Sequence, residues 1–478
     1  MQWKLHISRR LYIAILAALG FACMYALRIN LSVAVLEMTK PPVIAELPNG
    51  TQYEIPGGEF SGWSNTVKHA TLSAFFCGYI ITQIPGGYMA GRFGGRTVMG
   101  LGGLLAGASA LWVPLLVPQG VGFLIALRIF QGLCQGVAYP SVHAVWSRWA
   151  PPAERTRLAT IAFSGSYFGT VAALPISGYF TQNYGWRSTF IVFGVLAIGW
   201  GILWLATVSD DPSIDKWITV EEIKHIQETI GVSHEQASHL KPPWKALLTS
   251  VPVWAIVVAH FSENWGFYTM LTELPRFIRT LEPDYLPMKA SMVAAIPYLM
   301  MAIMIQVGGR LADYLLEKRN MRTVVVRKLF NCGAFAGQAL FTIISAYTKD
   351  PTGVLVSVTL SVGFGGFAWS GFSVNHLDIA PQFASVLMGI SNMGATIPGI
   401  VSPLVTSAFV QDTVLDVDQW KPVWWLSATV FVLGAVFYGF TASGDRQPWA
   451  HMPEGYEPHK DDDTSSRAGF GTLADEMD

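Results

Sequence analysis

This chain is poor in charged residues. Asp, Glu, Lys and Arg make up 13% of its 478 residues, against 51% hydrophobic ones, and the mean hydropathy is +0.39. A water-soluble protein of this length needs a charged exterior, so that balance excludes an ordinary soluble fold. It fits a polytopic membrane protein, whose lipid-facing surface needs no charge. The net charge is −1 and no tract is strongly basic, which excludes nucleic acid as a partner. Cysteine is scarce too. Cys23, Cys77, Cys134 and Cys332 fall in or beside apolar runs and form no CxxC pair, which argues against a disulfide framework and a zinc site. Signatures of catalysis are missing as well. No GxSxG, no HExxH and no paired acids occur in the apolar runs, so the chain is not read as an enzyme.

What the sequence has instead is long apolar runs. About twelve can be counted, each near the roughly 20 residues that a helix needs to cross a bilayer. They are expected at 11–36, 67–91, 98–118, 120–147, 157–181 and 188–209, then 251–277, 288–312, 323–347, 352–376, 382–408 and 421–443. The first follows the basic start MQWKLHISRR and continues to Leu36 with no convincing cleavage site, so it reads as retained helix. The fold class is therefore an all-α membrane protein with twelve transmembrane helices. A six-helix bundle is expected over 1–209, a cytoplasmic linker over 210–250, a second bundle over 251–444 and a disordered cytoplasmic tail over 445–478. The linker carries TVEEIKHIQETI, an amphipathic helix capped by Thr219 with acids in its first turn.

The two halves echo each other. GGYMAGRFGGRTVMG follows span two and GGRLADYLLEKRNMRTVVVRK follows span eight, so glycines and then basic residues recur in matching turns. Such internal repeats are typical of secondary transporters, whose site lies at mid-membrane between the repeats. With the N-terminus inside, roughly 20 Lys and Arg fall on one side and roughly 8 on the other, so both termini are expected in the cytoplasm. The outer loop between the first two spans holds the sequon Asn49-Gly50-Thr51, a weak sign of glycosylation. A monomer embedded in the lipid bilayer is expected.

Two basic residues interrupt the apolar runs: Arg28 in span one and Arg128 in span four. A guanidinium at bilayer depth costs several kcal/mol unless it faces a wet cavity or a partner. At 1.5 Å per residue both lie roughly 26–28 Å along their helices from the cytoplasmic end, hence at one level. Two forked cations at one level suit a carboxylate or phosphate. The competing role is an ion pair with a structural acid, for which Glu263 in span seven is the obvious partner. Glu263 could equally take up a proton or help to bind sodium. His143 lies near the inner end of span four, where a structural hydrogen bond competes with a titrating role. Asn375, His376 and Asp378 end span ten in no recognised metal spacing, so a gate or turn-locking network is the better reading. Arg92, Arg96, Asp313 and Arg310 read as inner-gate charge pairs. Pro85-Gly86-Gly87 and Pro398-Gly399 allow either bending or close packing.

Four motifs carry a resemblance. GYIITQIPGGYMA (78–90), YPSVHAVWSRWAPPAERTRLAT (139–160), GFSVNHLDIAP (371–381) and MGISNMGATIPG (388–399) resemble solute carrier family 17 of the major facilitator superfamily. That family includes the sialin, vesicular glutamate and type I sodium–phosphate branches. The resemblance covers nearly the whole chain. It implies two pseudo-symmetric six-helix bundles that rock about a central anion site, and a secondary active transporter coupled to a sodium or proton gradient, with no other cofactor. It also implies substrate binding by Arg28 and Arg128, with Tyr25 and Tyr268 lining the cavity. An anion channel, selective for chloride, is the alternative of another mechanism.

Departures from the family pattern matter. Glu263 stands where the glutamate branch has Arg and the sialin branch Tyr, which weakens the case for an acidic amino acid as substrate. Gln131 and Gln135 replace acids implicated in proton coupling, as in the phosphate branch; Gln cannot titrate. Leu72 replaces a His of the glutamate branch, and His69 nearby reads as an interfacial polar residue. The missing acidic dileucine sorting signal favours the plasma membrane, with a vesicular or lysosomal membrane still open.

Overall fold

The structure is a computed structural model and describes residues 8–40, 42–46, 52–55, 57–230, 241–281, 287–410 and 417–450. The long helices match the apolar runs closely. The first half holds Arg9–Met38, then Asn65–Ile81 with Gln83–Phe93, Gly95–Leu116, Val121–Gln135 with Ala138–Trp149, Arg155–Tyr184 and Trp186–Thr207, which form spans one to six. The second half holds Val251–Leu281, Pro287–Glu317, Thr323–Tyr347, Pro351–Ile379, Ala384–Phe409 and Lys421–Thr441, spans seven to twelve. Among the described residues ten helices are long and apolar enough to cross a membrane by length and composition. Span two misses that mark because it is split at Thr82. Span seven interrupts its apolar run with His260, Glu263 and Asn264. One short antiparallel pair, Val43–Glu46 with Ile55–Gln52, joins the helices in the loop after span one. Asn49 lies outside the described residues.

Span two breaks three residues before Pro85. Thr82 turns its hydroxyl onto the Leu133 carbonyl of span four at 2.9 Å, and Gln83 starts a new helix. Pro85 thus sits in a first turn, where its missing N–H is not needed. The helix through Pro398-Gly399 is continuous. The glycines serve contact more than bending: a Cβ at Gly165 would collide with the Ala18 carbonyl oxygen, so only glycine lets span five lie against span one. Gly165→Ala is expected to cost roughly 1–3 kcal/mol by overpacking and to lower the thermal midpoint of the purified protein. Gly199→Ala is the control, because a Cβ there meets nothing within 4 Å; an equal loss in both variants would contradict the packing argument.

Spans one, five and six pack together, as do spans three and six, and two and four; in the second half the pairs are seven and eleven, eight and ten, nine and ten, nine and twelve. The halves meet along two seams, span two on span eleven and span five on span eight. Span two is the counterpart of span eight, and span five of span eleven, each six apart, so the two seams exchange when the halves are swapped. That correspondence is what a duplicated half predicts.

The linker clamps onto the start of span one. Arg9 pairs with Asp215 at 3.0 Å and Arg10 with Glu222 at 2.8 Å and Glu154 at 3.0 Å. Glu222 belongs to the helix Val220–Ile230, whose first-turn amide is capped by the Thr219 hydroxyl at 3.3 Å, as its sequence predicts. Asp445 to Ala450, expected as the start of the disordered tail, instead pack back on the bundle. The Gln447 amide donates to the Ile379 carbonyl at 2.9 Å, and the Trp449 ring lies 6.4 Å from Phe383. Residues 451–478 lie outside the described ones.

Candidate functional site

Span one presents Arg28 into a cage of rings. Its Cζ lies 4.4 Å from the centre of Tyr25, one turn back on the same helix, and 4.6 and 4.7 Å from Phe75 and Tyr79 of span two. Tyr79 and Tyr268 also bring their hydroxyls to the guanidinium as hydrogen-bond partners. Tyr268 comes from span seven, so the cage draws on both halves. The Tyr25 hydroxyl is in turn 3.2 Å from that of Tyr139. Aromatic faces hold a cation in place through the ring quadrupole without cancelling its charge. Among the described residues no carboxylate forms an ion pair with Arg28, and its Nε is buried without a partner.

Arg128 is close by but differently employed. It is 1% exposed, whereas Arg28 is only half-buried. Its Nη1 donates to the Leu27 carbonyl at 3.0 Å and to Gln131 Oε1 at 2.9 Å, and its Nη2 to the Arg28 carbonyl at 2.9 Å. The guanidinium therefore ties span four to the backbone that carries Arg28. Its Cζ is 5.3 Å from the same Phe75 ring that Arg28 faces. The sequence thus brings the two cations together at one level, each with a buried Nε left without a partner, but the other Arg128 nitrogens are committed to carbonyl and amide oxygens.

Glu263 is not the counter-ion of either arginine. It lies within the second bundle at 1% exposure, beside Gln338 of span nine, which is its hydrogen-bond partner. One carboxylate oxygen, Oε2, is buried without a partner. Gln135 is 1% exposed with both amide atoms unpaired. The side chain of His69 lies outside the described ones, and Leu72 packs in an apolar cluster with Phe60 and Trp63.

The remaining candidates gather at the arginine-rich end, where they lock the halves together. His143 Nε2 contacts the Ser373 carbonyl at 2.9 Å, across from span four to span ten. His376 Nδ1 contacts the same carbonyl at 2.9 Å and its Nε2 the Ser391 hydroxyl at 2.8 Å, which His260 Nδ1 also approaches at 3.1 Å. Asp378 takes Arg327 through two bonds, 2.7 and 3.3 Å, and lies 3.6 Å from Arg155 of span five. Arg155 also donates to the Leu377 carbonyl at 3.0 Å, and Arg327 to the Thr156 hydroxyl at 3.1 Å. Asp313 accepts the Arg157 amide at 2.7 Å. The expected gate pairs are therefore revised. Arg92 and Arg310 make no ion pair among the described residues, and Arg96 holds Asp210 of its own half through its amide at 2.8 Å. No metal-binding group of His, Cys, Asp and Glu occurs among the described residues.

The comparisons fit that geometry. The sequence model of the Major Facilitator Superfamily matches residues 14–403. Vesicular glutamate transporter 2 of Homo sapiens is 40% identical over 94% of this chain and 76% of its own. Vesicular glutamate transporter 2.2 of Danio rerio is 39% identical over 94% and 76%. The chain belongs to the major facilitator superfamily, in solute carrier family 17. Among solved structures, the proton:xylose symporter XylE bound to 6-bromo-6-deoxy-D-glucose is similar in fold, with a TM-score of 0.64 over 91% of this chain and 96% of that one at 18% identity. As a member of solute carrier family 17 the chain is a multi-pass membrane protein and a secondary active transporter, not an enzyme.

Phe75, Tyr79, His260 and Gln338 were missed as site residues by sequence reasoning. Tyr79 lies in the motif GYIITQIPGGYMA, so a signal existed; Phe75 and Gln338 sit in apolar runs where only packing reveals them.

Proposed function

We propose that this transporter carries a small anion with one carboxylate or phosphate head, gripped by Arg28 and oriented by the hydroxyls of Tyr25, Tyr79 and Tyr268. The observation that supports this is the caged guanidinium of Arg28, half-buried and without an acidic partner. Arg28 binds the head group by a forked pair of hydrogen bonds. Arg128 supplies a second positive charge from behind while it fixes the backbone of span one. The relatives named for glutamate make L-glutamate the first probe and phosphate the second. The residues at the arginine-rich end, His143, His376 and Asp378, act as the gate on that side. Both termini face the cytoplasm on this reading, so the gate is the cytoplasmic one and the anion enters from the opposite side. Relatives named as vesicular transporters support a vesicular membrane, whereas the missing dileucine signal supports the plasma membrane.

Alternating access requires saturable accumulation. In proteoliposomes, uptake of labelled L-glutamate or phosphate is expected to saturate and to exceed equilibrium when a sodium or proton gradient is imposed. A current that does not saturate and never accumulates anion would instead favour the channel.

A further inference from the structure

A second polar cluster lies away from the arginines, wholly inside the second bundle. Glu263 of span seven, Gln338 of span nine, Ser361 of span ten and Ser427 of span twelve line a cavity of ≈ 10 Å³, walled otherwise by apolar side chains that include Phe267 and Phe431. That is room for one water-sized sphere. Each polar group is at most 4% exposed.

Most protons of this cluster are already committed. Gln338 donates an amide hydrogen to the Glu263 carboxylate. Ser361 donates to the Gln338 backbone carbonyl at 3.1 Å and sits 2.8 Å from the Thr342 hydroxyl, which donates to it in turn. Ser427 donates to the Val423 carbonyl at 2.9 Å and accepts from the Trp265 ring at 3.3 Å. What remains is lone pairs: Glu263 Oε2 and Gln338 Oε1, both buried without a partner, and one on each serine. Gly365 keeps the group together, since a Cβ there would come 2.5 Å from Glu263 Oε1 and 2.6 Å from Gln338 Nε2.

We propose that Glu263, Gln338, Ser361 and Ser427 form a sodium site. Oxygen donors of this kind suit a hard cation. A single positive charge neutralises the one carboxylate in a low-dielectric surrounding, whereas a divalent ion leaves an uncompensated charge. The cavity admits a dehydrated sodium ion. A proton on Glu263 would satisfy one oxygen and leave the other three lone pairs undirected. The proposal rests on the reading of the chain as a gradient-driven transporter and names the ion that drives it.

The test reads ion binding without transport. The full chain in nanodiscs is titrated with sodium chloride against choline chloride at fixed pH and total chloride, and the thermal unfolding midpoint is followed. A saturable rise with sodium is expected and none with choline. Glu263→Gln is expected to abolish the rise, and Gln338→Ala to weaken its half-saturation roughly tenfold, both in variants that stay monodisperse. Identical midpoints in sodium and choline overturn the proposal, as does a full sodium response in Glu263→Gln or a midpoint that follows pH alone. Loss of anion uptake dependence on Arg28 with the sodium response intact would overturn the anion reading and leave this site standing.

Discussion

Arg28→Ala is expected to cut uptake of labelled L-glutamate or phosphate by roughly 30-fold to 3,000-fold, with normal insertion in the membrane. Truncating one partner of a buried charged hydrogen-bond pair costs about 2–5 kcal/mol, and each 1.4 kcal/mol is about tenfold. Arg28 makes no ion pair that the fold depends on; rings surround it at 4.4–4.7 Å. Removing it therefore takes the ligand and leaves the scaffold. Arg28→Lys keeps the charge but loses the fork and the stacking, so an intermediate loss is expected. Arg128→Ala separates ligand from scaffold. It removes a second donor from the Leu27 and Arg28 carbonyls, which keep their helix bonds, and leaves the buried Gln131 Oε1 unsatisfied at about 1–3 kcal/mol. Transport and thermal stability are expected to fall together in that variant. Uptake by Arg28→Ala equal to that of the unmodified protein would refute the ligand role.

Asp378→Asn is expected to unlatch the arginine-rich end. Asp378 neutralises Arg327, which is 1% exposed, and faces Arg155, which is 6% exposed. Asparagine keeps the shape and removes the charge, so two buried guanidiniums lose their shared anion. Breaking a buried pair in this way costs about 3–5 kcal/mol. Only the contact of Asp378 with Arg155 of span five, at 3.6 Å, crosses the seam, so that part of the cost falls on the closed gate, while the loss of the Arg327 pair weakens the second bundle in either state. Each 1.4 kcal/mol of that cross-seam part moves the open-to-closed ratio about tenfold. Labelling of a single cysteine at Thr160, buried in the seam of spans five and eight beside Gly309, reads the outcome in a background without other cysteines. An impermeant maleimide applied from the arginine-rich side is expected to react at least about tenfold faster in Asp378→Asn. An unchanged rate would assign Asp378 to the second bundle only.

The helices were legible in the sequence because membrane-spanning segments announce themselves by length and hydropathy. The expected 323–347 coincides with Thr323–Tyr347, and the expected 11–36 falls inside Arg9–Met38. The caged arginine was legible for the same reason: a cation in an apolar run stands out. What Arg128 does with its N–H groups was not, because its acceptors are backbone carbonyls of a helix 100 residues away in sequence. Gate pairing failed likewise. Arg92 and Arg310 lie in the right turns, but the rotation of each helix aims Arg155, Arg327 and Asp378 across the seam instead. Glu263 was visible as an acid in span seven, yet its partner Gln338 hides in an apolar run and is fixed only by the packing of spans seven, nine and ten.

The most direct measurement is an experimental structure of the protein with its anion bound. Density for the head group is expected between the Arg28 guanidinium and the hydroxyls of Tyr25, Tyr79 and Tyr268, with Arg128 still bonded to the carbonyls of span one. An anion held by Arg128 alone, or lodged elsewhere with Arg28 turned toward lipid, would contradict the site.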